Sequence, residues 1–460
     1  MEGFLNTAFY YVLIPLVVLG IAVNIHELGH FLVAKLFGKR VEAYSFFGLG
    51  PRIWGFRRGH TDYRISAIPL GAYVKLYGDE SNAGLEGKDD TTEPVPQKEL
   101  YELRPRWQKF LVMLGGPFMN LVLALAIPFG TGLVQGIPAV PAPVLGQVRP
   151  DGPAAQAGLQ VGDRIVAFNG FDNPTWRDIE IQSAVNPERP LPAVIERAGQ
   201  RLTLTVTPRR EQMFAGQSAG LIDAEPDLGV MPVVVGTVAK NSGAEDAGLK
   251  AGDRIMSLNG ETPRNSRNAT EMIQRFKDAP IQLVIERGDE RLNVTATVRA
   301  LENGERRLGF TPRQADLPLE PATISTAAQF AVARNMETIV TTGSVLGQVF
   351  TGNRSVRDSG IGGPIGIFQQ SAEATRIMGI EGFFLILTAI SLSLGLFNLL
   401  PIPMLDGGQI LVLGIEKVMS WFGRTLSMAA RERIQLTGLA IVLLLMVTVI
   451  FFDVSRLVGN

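Results

Sequence analysis

The sequence predicts a polytopic α-helical membrane protein with a duplicated, strand-rich region outside the bilayer. Three observations predict it. Four stretches, 3–25, 110–148, 382–405 and 434–452, contain no Asp, Glu, Lys or Arg. Each is close to or above the ~20 residues a helix needs to cross a bilayer. Between the second and third stretches the sequence repeats itself at an offset of ninety residues. At the end of the first, His26, Glu27 and His30 form H-E-L-G-H. Ionisable groups in a span are costly and are functional by default.

The first span carries "FYYVLIPLVVLGIAV" and is expected to stay helical to about Phe37 (domain 1–37). It reads as a retained span and not a cleaved signal: no Lys or Arg precedes it, and it leads directly into HELGH. The second span (107–136) carries "FLVMLGGPFMNLVLALAIPFG", and the Pro-rich "IPAVPAPV" after it cannot remain helical. The third (381–406) carries "FFLILTAISLSLGLFNLL", and the fourth (434–456) "LTGLAIVLLLMVTVIFF". Between these lie loops expected at 38–106 and 407–433, and a linker with an amphipathic helix at 313–380.

Orientation follows from Lys and Arg in the short loops. Residues 38–109 hold twelve and 407–433 hold four, while residues 1–8 hold none. The positive-inside rule places both loops in the cytoplasm, and both termini and the repeat outside. With 460 residues and a formal net charge of −1, no basic excess points to nucleic acid. The absence of cysteine excludes disulfides and thiolate metal sites. Any metal must be held by His, Asp, Glu, carbonyls or water.

The repeat reads "GQVRPDGPAAQAGLQVGDRIVAFNG" at 146–170 and "GTVAKNSGAEDAGLKAGDRIMSLNG" at 236–260, with twelve of twenty-five positions identical. A period of ninety is too long for a solenoid, so two copies of one small domain are expected, at 137–220 and 221–312. The shared AGL-x-x-GDRI motif resembles the circularly permuted bacterial PDZ domain, which binds an extended peptide or a protein's C-terminal end at a strand edge. "DLGV" (227–230) resembles the carboxylate-binding loop and is expected to belong to the second copy. The matching "IPAV" (137–140) contains Pro138, which lacks an amide donor. A peptide ligand is therefore expected more for the second copy; both domains could equally serve as steric filters.

On a helix, His26 and His30 share one face, one turn apart, as two imidazoles on a tetrahedral zinc require. Glu27 stands beside them, placed to take a proton from water. Zinc needs a third protein ligand. His60, in "RRGHTDY", reads as a solvated loop residue. Asp406, in "NLLPIPMLDGGQI" (398–410), ends the third apolar run at the same cytoplasmic side as HELGH; alone it reads as a turn aspartate before Gly407-Gly408.

Together, HELGH in the first span, N-x-x-P-x-P-x-L-D-G in the third, and a tandem repeat between spans two and three resemble the intramembrane zinc metalloproteases of the site-2 protease family. The resemblance extends over nearly the whole sequence. It implies Zn2+ held by His26, His30 and Asp406, with Glu27 as general base. It implies that Asn398 contacts the substrate backbone, although by itself Asn398 could equally make an interhelical hydrogen bond. It implies a membrane re-entrant β-hairpin in residues 41–78, where "YRISAIPLGAYVKL" (63–76) reads as strand with a turn near Pro69-Leu70-Gly71. It also marks "GGPIGI" (362–367) without giving it a role. Residues 79–106 read as a mobile polar loop.

The function implied is cleavage of a transmembrane segment in a single-span membrane protein, an anti-sigma factor already trimmed by a first protease. The setting implied is envelope stress signalling in the bacterial inner membrane, with membrane lipids as the other partner. Two alternatives are a metal transporter and a PDZ-based membrane scaffold. The first leaves Glu27 and the tandem domains without a purpose. The second leaves the intact HELGH unexplained.

Overall fold

The computed structural model describes residues 8–68, 71–77, 103–212, 218–229, 233–240, 242–276, 280–300, 306–314, 319–356, 359, 362–424 and 426–458. The turn expected at Pro69-Leu70 and most of the loop 79–106 lie outside the described residues. The protein falls into two compact units. One holds Met1–Ile137, Gln212–Ser218 and Pro321–Asn460, the other Pro138–Glu211 and Ala219–Glu320.

In the first unit, four helical stretches among the described residues are long and apolar enough to cross a membrane: Phe9–Leu36, Arg106–Gln135, Ile380–Asn398 and Ala430–Ser455. The first opens as a π-helical turn and continues as α1 (Ile14–Leu36). The second, α2 (Arg106–Gln135), stops at Gly136, whose φ of 98° favours glycine. A Cβ on Gly29 of α1 would strike the backbone of Gly115 and Gly116 in α2. Small residues thus let the two backbones touch, which stabilises helix pairs in lipid where no hydrophobic drive exists. The third span, α5 (Ile380–Asn398), lies against both. Leu387 is buried with Val18 and Ala22 of α1, and Leu123 and Ile127 of α2 pack on this cluster. Ser391 donates to the carbonyl of Asn120 at 2.9 Å.

The expected linker contains two helices, α3 (Ile324–Phe350) and α4 (Pro364–Met378). Thr323 and Thr326 form a capping box at the start of α3. Ala327, Ala331 and Asn335 are its buried stripe, and Asn335 donates to the carbonyl of Ala124 in α2 at 2.9 Å. The GGPIGI segment acquires a structural role at the start of α4. The amides of Gly363 and Gly366 donate to Asp453 at 3.0 and 3.1 Å. Asp453 belongs to the last helix, α7 (Met428–Val458). The carboxylate thus satisfies two amides at a helix N-terminus.

The third span ends earlier than its apolar run. The sequence places the third span at 381–406, with Pro401 and Pro403 disrupting regular helix near its end, and a loop over 407–433. Instead α5 stops at Asn398, a turn follows, and Asp406 opens a further helix, α6 (Asp406–Trp421). Pro401 and Pro403 cannot donate helix hydrogen bonds, and Met404 sits at φ 84°, which a side chain resists. Cβ atoms on Gly407 or Gly408 would strike the backbone at Leu399 or Ile402, so the turn closes only around glycines.

After α1 comes a four-stranded sheet of β1 (Val41–Ser45), β2 (Leu49–Arg58), β3 (Thr61–Ile68) and β4 (Tyr73–Leu76), in the order β2-β3-β1-β4. Strands β3 and β4, which flank the turn expected near Pro69-Leu70-Gly71, do not pair with each other. Strand β3 pairs with β2 across the Gly59-His60 turn and runs parallel to β1, which separates it from β4. The register explains why: β1 takes both partners, so β4 is left as an edge. Leu76 and Val41 are buried with Ala34 of α1 and Val112 and Met113 of α2, and Val74 packs on this cluster. On β2, Ile53, Trp54 and Phe56 are exposed.

The second unit contains the duplicated domains. The first copy has strands β5 (Leu145–Val148), β6 (Arg164–Phe168), β7 (Leu191–Arg197) and β8 (Gln200–Val206), and a helix at Trp176–Val185. It runs past residue 220. Ile222 lies in its core, and β9 (Ala224–Pro226) pairs with β5. The amide of Asp227 then donates to the carbonyl of Val144 at 2.8 Å. "DLGV" therefore closes the first copy and does not open the second; Val230 lies outside the described residues. The second copy has β10 (Val233–Val238), β11 (Arg254–Leu258), β12 (Pro280–Arg287) and β13 (Glu290–Thr297). It ends on β14 (Phe310–Gln314), which pairs with β10. A repeat reveals its period but not its phase, which is why both boundaries differ from those expected.

Candidate metal centre

His26 and His30 project from the last half of α1 towards the turn that carries Asp406 at the first position of α6. Their ligand atoms all lie within 4.8 Å of one another. His26 Nε2 is 3.0 Å from Asp406 Oδ2, and His30 Nε2 is 3.5 Å from Asp406 Oδ1. The two Nε2 atoms are 3.2 Å apart. His30 Nδ1 lies 2.7 Å from the carbonyl of Val112, which can only accept. His30 is therefore protonated on Nδ1, and in its neutral form Nε2 is the nitrogen left for a metal.

These atoms fit a cation. Asp406 Oδ2 is buried and faces His26 Nε2 at 3.0 Å, and no guanidinium or backbone amide donates to it among the described residues. The carboxylate and the two imidazole nitrogens offer more lone pairs than the imidazole protons between them can satisfy, and a cation would take them all at once. Two imidazoles and one carboxylate are a zinc donor set that leaves a fourth position open. Gly116 of α2 supplies the room, since a Cβ there would run into both imidazoles.

Glu27 is half-buried beside the ligands, within electrostatic reach of His26, His30 and Asp406, and the backbone of Val74 in β4 faces its carboxylate. Asn398 closes α5 and is half-buried; it is not among the converging ligand atoms. His60 is exposed in the β2–β3 turn, where Arg40 Nη2 donates to its Nδ1 at 2.6 Å. It is not part of the centre.

The residues that sequence reasoning missed all come from α2. Asn120 is fully buried, with Nδ2 3.3 Å from His26 Nδ1, and its Oδ1 has no partner. Val112 contributes a carbonyl and Gly116 a space. The available signal was Asn120 itself, a polar residue in a charge-free run.

A family model described as peptidase family M50 matches residues 14–445. The chain belongs to peptidase family M50. It is an intramembrane zinc metalloprotease of the site-2 type and a multi-pass membrane protein. Among M50-like relatives, the regulator of sigma-E protease RseP of Salmonella typhimurium is 30% identical, over 96% of this chain and 98% of that protein. A putative zinc metalloprotease of Vibrio cholerae is 30% identical, with the same coverage of each. A solved PDZ domain of an SdrC-like protein from Listeria monocytogenes is 24% identical, covering 17% of this chain and 85% of that one, with a TM-score of 0.17. That score is too low to bear on the fold.

Proposed function

We propose that this protease cuts a single transmembrane segment within the bilayer, with His26, His30 and Asp406 as zinc ligands and Glu27 as general base. The observation that carries the reading is the meeting of three ligand atoms from two distant segments, with a carboxylate beside them that ligates nothing. Zinc held there supplies Lewis-acid polarisation of the scissile carbonyl and acidifies water. Glu27 takes the proton of the attacking water and returns it to the leaving amine as the C–N bond breaks.

A helical peptide bond has its amide and carbonyl locked in the helix, so the substrate must be extended before attack. Strand β4 is an edge of its sheet, and Val74 faces Glu27. That edge would pair with the substrate and hold it open. The exposed Ile53, Trp54 and Phe56 support a sheet that dips into lipid. Asn398, where α5 gives way to the Asp406 turn, would hold the substrate backbone.

The Lys/Arg bias supports cytoplasmic loops at 38–109 and 407–433, with both termini and the tandem PDZ-like copies in the periplasm of the inner membrane. The Salmonella relative's name ties it to sigma-E regulation. For this protease an anti-sigma factor shortened outside by a first protease would be the substrate. The two copies would exclude proteins with bulky outer domains.

The test is Glu27→Gln in purified, zinc-loaded protein given a model transmembrane substrate. General bases contribute about 10²–10⁴-fold. Cleavage should fall by that factor while the fold and the metal stay. Cleavage at the wild-type rate would refute the assignment.

A further inference from the structure

We propose that Asn120 is a positioning residue that selects the His26 tautomer able to bind metal at Nε2. The inference rests on the ligand assignment above and concerns a residue on a different helix.

A neutral imidazole carries one proton, on Nδ1 or on Nε2. For His30 the carbonyl of Val112 decides: it can only accept, so the proton is on Nδ1. His26 has no carbonyl in that place. Its Nδ1 faces the amide of Asn120 at 3.3 Å, and that amide offers a donor on one side and an acceptor on the other. If Nδ2 of Asn120 faces His26, Nδ1 must accept and the proton sits on Nε2. That proton would then occupy the space between Nε2, Asp406 Oδ2 at 3.0 Å and His30 Nε2 at 3.2 Å. If Oδ1 faces His26, Nδ1–H donates to it and Nε2 is bare, as the metal requires.

Metal bound at Nε2 requires the second state, because Nε2 cannot carry a proton and ligate at once. Asn120 is fully buried and its Oδ1 has no partner while Nδ2 faces the ring. A half-turn about Cβ–Cγ exchanges the two atoms and places Oδ1 on His26 Nδ1. The orphaned acceptor gains a donor, and His26 gains the orientation that Val112 gives His30. The backbone here is already held, since Ser391 donates to the Asn120 carbonyl and Gly395 lets α5 approach the Asn120 Cβ. The two ligand histidines are thus aimed from positions about two turns apart on α2, one by a backbone carbonyl and one by a side-chain amide.

Zinc affinity of the full-length protein in detergent, measured by chelator competition, tests this directly. Wild type, Asn120→Ala, Asn120→Leu and Asn120→Asp are compared, and cobalt absorption reports ligand geometry. Loss of an outer partner of a ligand histidine typically costs 10–100-fold in metal affinity. Ala and Leu are expected to show that loss and an altered cobalt spectrum. Asp, which can accept from Nδ1–H and cannot donate when ionised, is expected to return affinity to within a few-fold of wild type. The proposal is overturned if Ala and Leu bind zinc as tightly as wild type, or if Asp is as weak as Ala. His26→Ala separates the two levels: if it keeps wild-type affinity, the ligand assignment has failed and the role of Asn120 falls with it.

Discussion

Asp163 and Asp253 in the tandem copies, and Asp406 in the membrane unit, are all withdrawn from water, with side chains 1%, 1% and 12% exposed. They differ in what faces them. Asp163 receives Arg197 through Nε and Nη2 at 2.7 Å each, and the amide of Gln160 at 2.8 Å. Asp253 repeats this ninety residues on, with Arg287 at 2.7 and 2.7 Å and the amide of Lys250 at 2.8 Å. Every strong acceptor site is met by a donor. Asp406 faces two imidazole nitrogens, and among the described residues no guanidinium or backbone amide donates to its Oδ2. A saturated carboxylate holds a fold together. One held among imidazole nitrogens that can ligate a metal is arranged for a cation.

The sharpest way to break this contrast is to neutralise each carboxylate. Asp406→Asn should abolish cleavage and lower zinc affinity by orders of magnitude, with little loss of thermal stability, since the change removes a buried charge that no arginine or lysine pairs among the described residues. Unchanged zinc binding would put Asp406 with the structural carboxylates. The second effect is at Gly116. Replacing helix glycine by alanine usually gains about 1 kcal/mol, but at Gly116 the added methyl enters the imidazole space. Gly116→Ala should weaken zinc binding roughly tenfold or more without unfolding the protein. Wild-type zinc affinity in that variant would count against the packing described.

On the structural side, Asp253→Ala and Asp163→Ala should each cost about 1.5–3 kcal/mol in their own copy, the range for hydrogen bonds to charged groups, and leave zinc content untouched. Hydrogen exchange in Arg164–Phe168 and Arg254–Leu258 would read this. The smallest effect is in pH. Burial alone would raise the Asp163 and Asp253 carboxyls. The Arg197 and Arg287 guanidiniums and the loop amides more than reverse this and hold both below the ordinary range. A lowered folded pKa contributes stability that is present above the unfolded value of about 3.9 and is lost as pH falls through the folded value. Protection of these strands should therefore persist at neutral pH and fade below about pH 4. The Asn variants should lack that acid dependence.

Much of the centre was legible because its chemistry is local. HELGH places both histidines and Glu27 by helical spacing alone, and the N-x-x-P-x-P-x-L-D-G segment carries Asp406 on a turn that proline and glycine dictate. The neighbours on α2 were not legible, because Val112 acts through its backbone and Gly116 through what it lacks. The sheet escaped the sequence for a related reason. Pairing β3 with β1 in parallel is a non-local choice, whereas alternation along 63–76 suggests only a local hairpin. The repeat boundaries shift because Ile222 and β9 complete the first copy from beyond the point where the similarity ends.

The most direct measurement is the zinc content of purified wild type, Glu27→Gln and Asp406→Asn after exposure to a mild chelator. One zinc per molecule is expected in wild type and in Glu27→Gln, and far less than one in Asp406→Asn. A full zinc complement in Asp406→Asn, or loss of the metal in Glu27→Gln, would contradict a centre built from His26, His30 and Asp406 with Glu27 free to carry the proton.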